Sequence, residues 1–94
     1  MLELALALML YWDAPTTRED GMDLYSNEIG HYEMYYNGAF YDSTTLTEMD
    51  VVGYGDFKVR VIDTDGVASD FSNVVSVTQV KGKASAPGQL RKQR

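Results

Sequence analysis

Leu2-Glu3-Leu4-Ala5-Leu6-Ala7-Leu8-Met9-Leu10-Tyr11-Trp12 puts a large apolar side chain at every even position. The odd positions hold Glu3, Ala5, Ala7, Met9 and Tyr11. Strand side chains alternate between two faces, so this unbroken period of two predicts a strand with one buried face. A helix would scatter the same leucines round its whole circumference. Alanine and leucine favour helix intrinsically, but the period outweighs that preference. Asp13-Ala14-Pro15 closes the strand, because proline has no amide hydrogen to give a ladder.

Working outward, Thr16 to Asn27 reads as a polar loop with Gly21 as its turn residue. Ile29 to Tyr36 is the next strand, with Tyr32, Met34 and Tyr36 in phase on a buried face. Asn37-Gly38 predicts a two-residue hairpin, whose central residues need positive φ. Ala39 to Tyr41 is the short return strand. Thr44 to Val52 follows with a mixed pattern, Leu46 on one side and Met49 and Val51 on the other. After Gly53-Tyr54-Gly55, Phe57, Val59 and Val61 alternate with Lys58, Arg60 and Ile62 in a clear strand. Asp63-Thr64-Asp65-Gly66 turns the chain, and Phe71 to Gln79 is the last strand, with Phe71, Val75 and Val77 in phase. Six or seven short strands separated by turns, with no helix, predict an all-β antiparallel sandwich or small barrel. Trp12, Tyr32, Tyr36, Phe57, Val59 and Val61 are its expected core anchors. Past Val80 the composition changes to Lys-Gly-Lys-Ala-Ser-Ala-Pro-Gly, a flexible segment. Residues 1–80 are therefore read as the sandwich and 81–94 as a basic, flexible or partner-docking tail.

Composition narrows the function classes. Ninety-four residues make one domain, and 45% hydrophobic content is enough for a core. The absence of cysteine excludes a disulfide framework and thiolate metal sites. Met1 to Tyr11 is apolar but has no basic start and no small-residue cleavage site, so it is not read as a secretory signal, and it is too short to span a bilayer. Residues 1–80 carry three bases, Arg18, Lys58 and Arg60, against all fourteen acids, leaving −11. Residues 81–94 hold five bases and no acid. An acidic body disfavours nucleic acid as its partner, while the tail is drawn to anything negative, including another copy's body.

Few residues suggest chemistry. His31, the sole histidine, sits on a strand beside tyrosines without a nucleophile or a cysteine, which is no catalytic set. It is read as an outward-facing strand residue. Asp63-x-Asp65-Gly66 has a carboxylate spacing found in calcium loops but lacks the further oxygen ligands, so a solvated hairpin turn is the better reading. Among the tyrosines, Tyr35 and Tyr41 are the expected exposed candidates for sugar stacking or protein contact. No catalytic, cofactor or metal residues are expected.

Four motifs, in order, carry a family likeness. Leu10-Tyr11-Trp12-Asp13-Ala14-Pro15 resembles the second strand of fibronectin type III domains, and Ile29-Gly30-His31-Tyr32-Glu33-Met34-Tyr35-Tyr36 their third. Val59-Arg60-Val61-Ile62-Asp63-Thr64-Asp65-Gly66 resembles the sixth strand and its turn, and Ser69-Asp70-Phe71-Ser72-Asn73-Val74-Val75-Ser76-Val77 the last. The resemblance spans residues 6–79 and implies a two-sheet, immunoglobulin-like sandwich. Two departures stand out. Gly55 occupies the place of the family's corner tyrosine, with Tyr54 as a potential substitute. The first strand, ahead of the tryptophan strand, has room only for Met1 to Ala5 and is expected to be shortened. Ser85-Ala86-Pro87-Gly88-Gln89-Leu90-Arg91 looks like the linker and first strand of a following domain; an ordinary basic tail, or a domain truncated from a tandem array, remains the alternative.

The resemblance implies a non-catalytic structural or assembly module held by protein contacts, as a homo-oligomer or on a larger scaffold. By analogy alone, it suits a virion component such as a bacteriophage capsid decoration or tail protein. The alternative is an accessory adhesion or carbohydrate-associated binding module of a larger secreted protein. Lys81, Lys83, Pro87, Leu90 and Arg91 are the expected contact residues of the tail. Leu2, Leu4 and Leu6 are those of the edge strand on which residues 84–91 of a neighbour would add.

Overall fold

A computed structural model describes residues 7–79 and 84–93. Six strands form: β1 (Ala7–Tyr11), β2 (Ile29–Tyr36), β3 (Ala39–Thr44), β4 (Glu48–Val52), β5 (Gly55–Asp63) and β6 (Val75–Val77). The one helical element among the described residues is a three-residue 3-10 turn, Ser26–Glu28. Two antiparallel sheets result, one of β1 and β4, the other ordered β3-β2-β5-β6. The chain is all-β and sandwich-like.

Met49 and Val51 of β4 meet Met34, Phe57 and Val77 of the larger sheet in one buried cluster, with Leu10, Trp12, Tyr36, Tyr41 and Val59 packed at its margin. Phe57 and Val51 are each 1% exposed and Met34 2%. β4 shows the cleanest alternation, Met49 and Val51 inward and Glu48, Asp50 and Val52 outward. Of the expected anchors, Tyr32 and Phe57 are buried, and Trp12, Tyr36, Val59 and Val61 are half-buried. Burial holds the Tyr32 phenol above its usual range.

β2 has the predicted bounds, and its turn behaves as its residues require: Asn37 has φ 50° and Gly38 φ 83°. Three expectations need correction. Tyr41 faces inward, not out, because a bulge between Met34 and Tyr35 shifts the β3 register; its ring packs on Tyr36 and Phe57, and its hydroxyl accepts from the Val52 amide. The last strand is only Val75–Val77. Ahead of it, Ser69 and Ser72 each donate their amide to β5 and present a hydroxyl oxygen where a strand would present a carbonyl: Val61 N donates to Ser69 Oγ at 3.0 Å and Val59 N to Ser72 Oγ at 3.1 Å. From Ser69 to Ser72 this segment advances three residues while β5 advances two, so the alternation slips and Phe71 lies against Tyr35 at 5.0 Å between centroids, out of phase with Val75 and Val77. Leu46 is an exposed residue of the link before β4 rather than a strand residue.

The corner between β4 and β5 is tied by Tyr36, not Tyr54: the Tyr36 hydroxyl donates to the Tyr54 carbonyl. That ring explains the glycine. A Cβ on Gly55, at φ +153°, would lie 2.5 Å from Asn37 Oδ1 and 2.7 Å from Tyr36 Cε1.

Candidate docking site: the open edge of β1

β1 pairs with β4 along one edge, from Ala7↔Val52 to Tyr11↔Glu48. On its other edge no described residue pairs with it. The register shows what lies beneath. Phe57↔Val75 and Gly55↔Val77 put Val75 and Val77 on the same inward face as Phe57, yet Val75 is 42% exposed while Val77 is buried. Leu8 shares the inward phase of Leu10 and Trp12 and is 39% exposed. Two inward-facing apolar side chains, one from each sheet, thus meet water at the same margin. A small cavity of about 70 Å³ lies beside Val75, walled also by Leu10, Trp12, Phe57 and Val59. Trp12 packs edge-on against Tyr32 at 5.3 Å, and its buried Nε1 finds no acceptor among the described residues. An unpaired strand edge above an unfilled apolar trough is the geometry into which a further strand adds.

A second hollow lies at the pole where β5 ends. There Pro15, Leu24, Val61, Val67 and Ala68 floor a cleft of about 350 Å³, with Glu19 and Asp20 in its wall. Arg18 crosses it, donating to Glu28 at 2.7 Å and to Asp63 at 3.0 Å. Asp63 Oδ1 also accepts from the amides of Val67 and Asp65. The Val67 amide first, then Arg18 and the Asp65 amide, hold its carboxyl below the usual 3.8, and Arg18 does the same to Glu28. The Asp63 carboxylate therefore serves a turn and an ion pair, and Asp65 joins that turn through its amide. Among the described residues no group of three or more acids or histidine is placed to hold a metal ion.

The outer face of the larger sheet carries a second cluster, which sequence reading found only in part through Tyr35. Tyr35 packs on Phe40 and Phe71, Lys58 Nζ sits 4.1 Å above the Phe71 ring, and Arg60 bonds Glu33 and the Tyr35 hydroxyl. His31 lies on this face, 3.6 Å from Glu33. Its members satisfy one another and clamp the segment before β6 onto the sheet.

The expected edge residues Leu2, Leu4 and Leu6 and the tail residues Lys81 and Lys83 lie outside the described residues. Pro87, Leu90 and Arg91 are exposed, Leu90 at 96%, and residues 84–93 take part in none of the described hydrogen bonds. The radius of gyration is 21.0 Å, against roughly 13 Å for a compact domain of this size. Among the described residues no helix is long and apolar enough to cross a membrane. No protein-family model, no curated protein and no solved structure matches this chain.

Proposed function

We propose that this chain is a non-catalytic assembly module of the fibronectin type III kind, joined to identical copies or a scaffold by strand addition at β1. The observation that carries the reading is the trough: Leu8 and Val75 face inward and remain wet because nothing described lies over them. The tail is the donor. In residues 84–91, Ala84, Ala86, Gly88 and Leu90 share one face at a period of two, and Leu90 is the tail's only large apolar side chain. A tail of +5 meeting a body of −11 favours the encounter at low salt. The order of the four sequence motifs and the pairing of β2, β3, β5 and β6 in one sheet support the family assignment. A place in a virus particle, where such copies would sit on a larger scaffold, extends the reading by analogy.

Deleting residues 82–94 is expected to leave a folded, monomeric domain, while the full chain associates with rising concentration in sedimentation velocity. A truncated chain that associates as well as the full one sinks the proposal. A binding-module reading is favoured by one observation, Phe40 at 56% exposure beside Tyr35; retention of Phe40→Ala, but not of the parent, on a glycan-free matrix control is the wrong sign for it, and specific parent binding to a glycan array the right one.

A further inference from the structure

The open edge has a direction, and the direction picks out the acidic cleft. β1 begins and β4 and β6 end at one pole, since Ala7 pairs with Val52 and Val77 with Gly55. A strand adding antiparallel to β1 must enter from the opposite pole. That pole holds the 350 Å³ cleft, and the cleft lies on the donor's path: Val61 floors it, and Val59, two residues earlier on the same face of β5, walls the smaller cavity. Ser69 and Ser72, bonded to Val61 and Val59, mark the same two levels on the neighbouring segment. The cleft and the cavity are thus successive stations of one trough.

We propose that the cleft receives the first part of a second copy's tail, with that copy's Lys81 and Lys83 against Glu19 and Asp20 and its Leu90 in the cavity beside Leu10 and Val75. This rests on the tail being the donor strand. Charge supports the placement. Arg18, the one base among the described residues of the cleft, is already paired with Glu28 and Asp63, so the wall presents Glu19 and Asp20 as net negative charge. Length supports it too. From Lys83 to Leu90 an extended chain covers about 23 Å. β5 from Val59 to Asp63 accounts for about 13 Å of that, and the remainder crosses the cleft. Because the tail leaves from the pole opposite the cleft, each copy offers its tail to the next and its cleft to the one before. The contact is heterologous and does not close at two copies.

Reversing Lys81→Glu and Lys83→Glu in the full chain is expected to weaken association about tenfold at low salt. Reversing Glu19→Lys and Asp20→Lys in another chain is expected to do the same. An equimolar mixture of the two variants, in which every tail again meets an opposite cleft, is expected to recover the parent's association. The chain has no cysteine, so a second measurement is clean. A chain bearing Leu90→Cys mixed with one bearing Val75→Cys is expected to form the mixed disulfide between chains under mild oxidation. Loss of association on deleting residues 82–94, without rescue in the mixture or without the mixed disulfide, leaves the donor-tail reading standing and overturns the cleft as its seat. A disulfide that forms only within a chain bearing both cysteines overturns the head-to-tail arrangement. If the 82–94 deletion associates normally, the underlying reading falls and this one with it.

Discussion

On the four-stranded sheet, β2 and β5 have neighbours on both edges and cover on both faces. Met34 and Phe57 pack inward, and the Tyr35, Phe40, Phe71, Lys58 and Arg60 cluster lies outside. On the two-stranded sheet, β4 sends Met49 and Val51 into the same core, but β1 has one edge without a partner among the described residues, with Met9 and Tyr11 in solvent on its outer face. Leu8 is as apolar as Met34, and their exposures are 39% and 2%. The difference teaches that phase decides which way a side chain points, whereas burial depends on what the neighbouring strand supplies. It also sets where stability resides, and that can be tested.

The largest effect should come from Phe57→Ala, which opens a cavity between two filled layers and is expected to cost about 3–5 kcal/mol, close to a small domain's whole stability. Trp12→Ala, at the open margin, should cost measurably less, and Leu8→Ala under about 1 kcal/mol. Equal losses at Phe57 and Leu8 in urea melts would break the contrast between the sheets.

The corner joining the sheets comes next. Gly55→Ala drives a methyl into the Tyr36 ring and Asn37 and should cost about 1–3 kcal/mol. Tyr36→Phe, which removes only the bond to the Tyr54 carbonyl, should cost about 0.5–1.5 kcal/mol. If Gly55→Ala proves neutral, the corner is not packed as described.

The smallest effect concerns pH. Asp63 and Glu28 have carboxyls held below their usual 3.8 and 4.5, so they bind protons more weakly folded than unfolded. Their contribution is full above those ordinary values and is lost as pH falls through the lowered ones. Arg18→Met should therefore melt below the parent from about pH 5 upward, and the gap should narrow on acidification. The Val67 and Asp65 amides remain to Asp63, so the variant keeps part of the parent's acid sensitivity. A gap that widens toward low pH contradicts the assigned pairing.

Local chemistry made much of this legible from residues alone. Period two gave β2 its bounds, and Asn37-Gly38 gave the hairpin, because both depend on neighbours in sequence. Tyr41 was misread because a bulge is set by pairing with β2, which local alternation does not encode. The last strand was overextended because a serine oxygen can replace a carbonyl without disturbing the hydrophobic pattern. The shortened first strand expected at Met1 to Ala5 lies outside the described residues. The cleft was invisible, since it joins residues 15–24 to 61–69, and only the fold brings those together.

The two serine bridges have a mechanical consequence. Load applied to the tail enters the body at Val77, the end of a ladder only three residues long. Beyond it, the segment is attached at Ser72 and then at Ser69, points three residues apart rather than a continuous ladder. Tension from a neighbour would therefore detach this margin in small steps, from the tail inward, while β2 and β5 stay joined. Within an assembly, the margin would act as a give that yields before the core is strained.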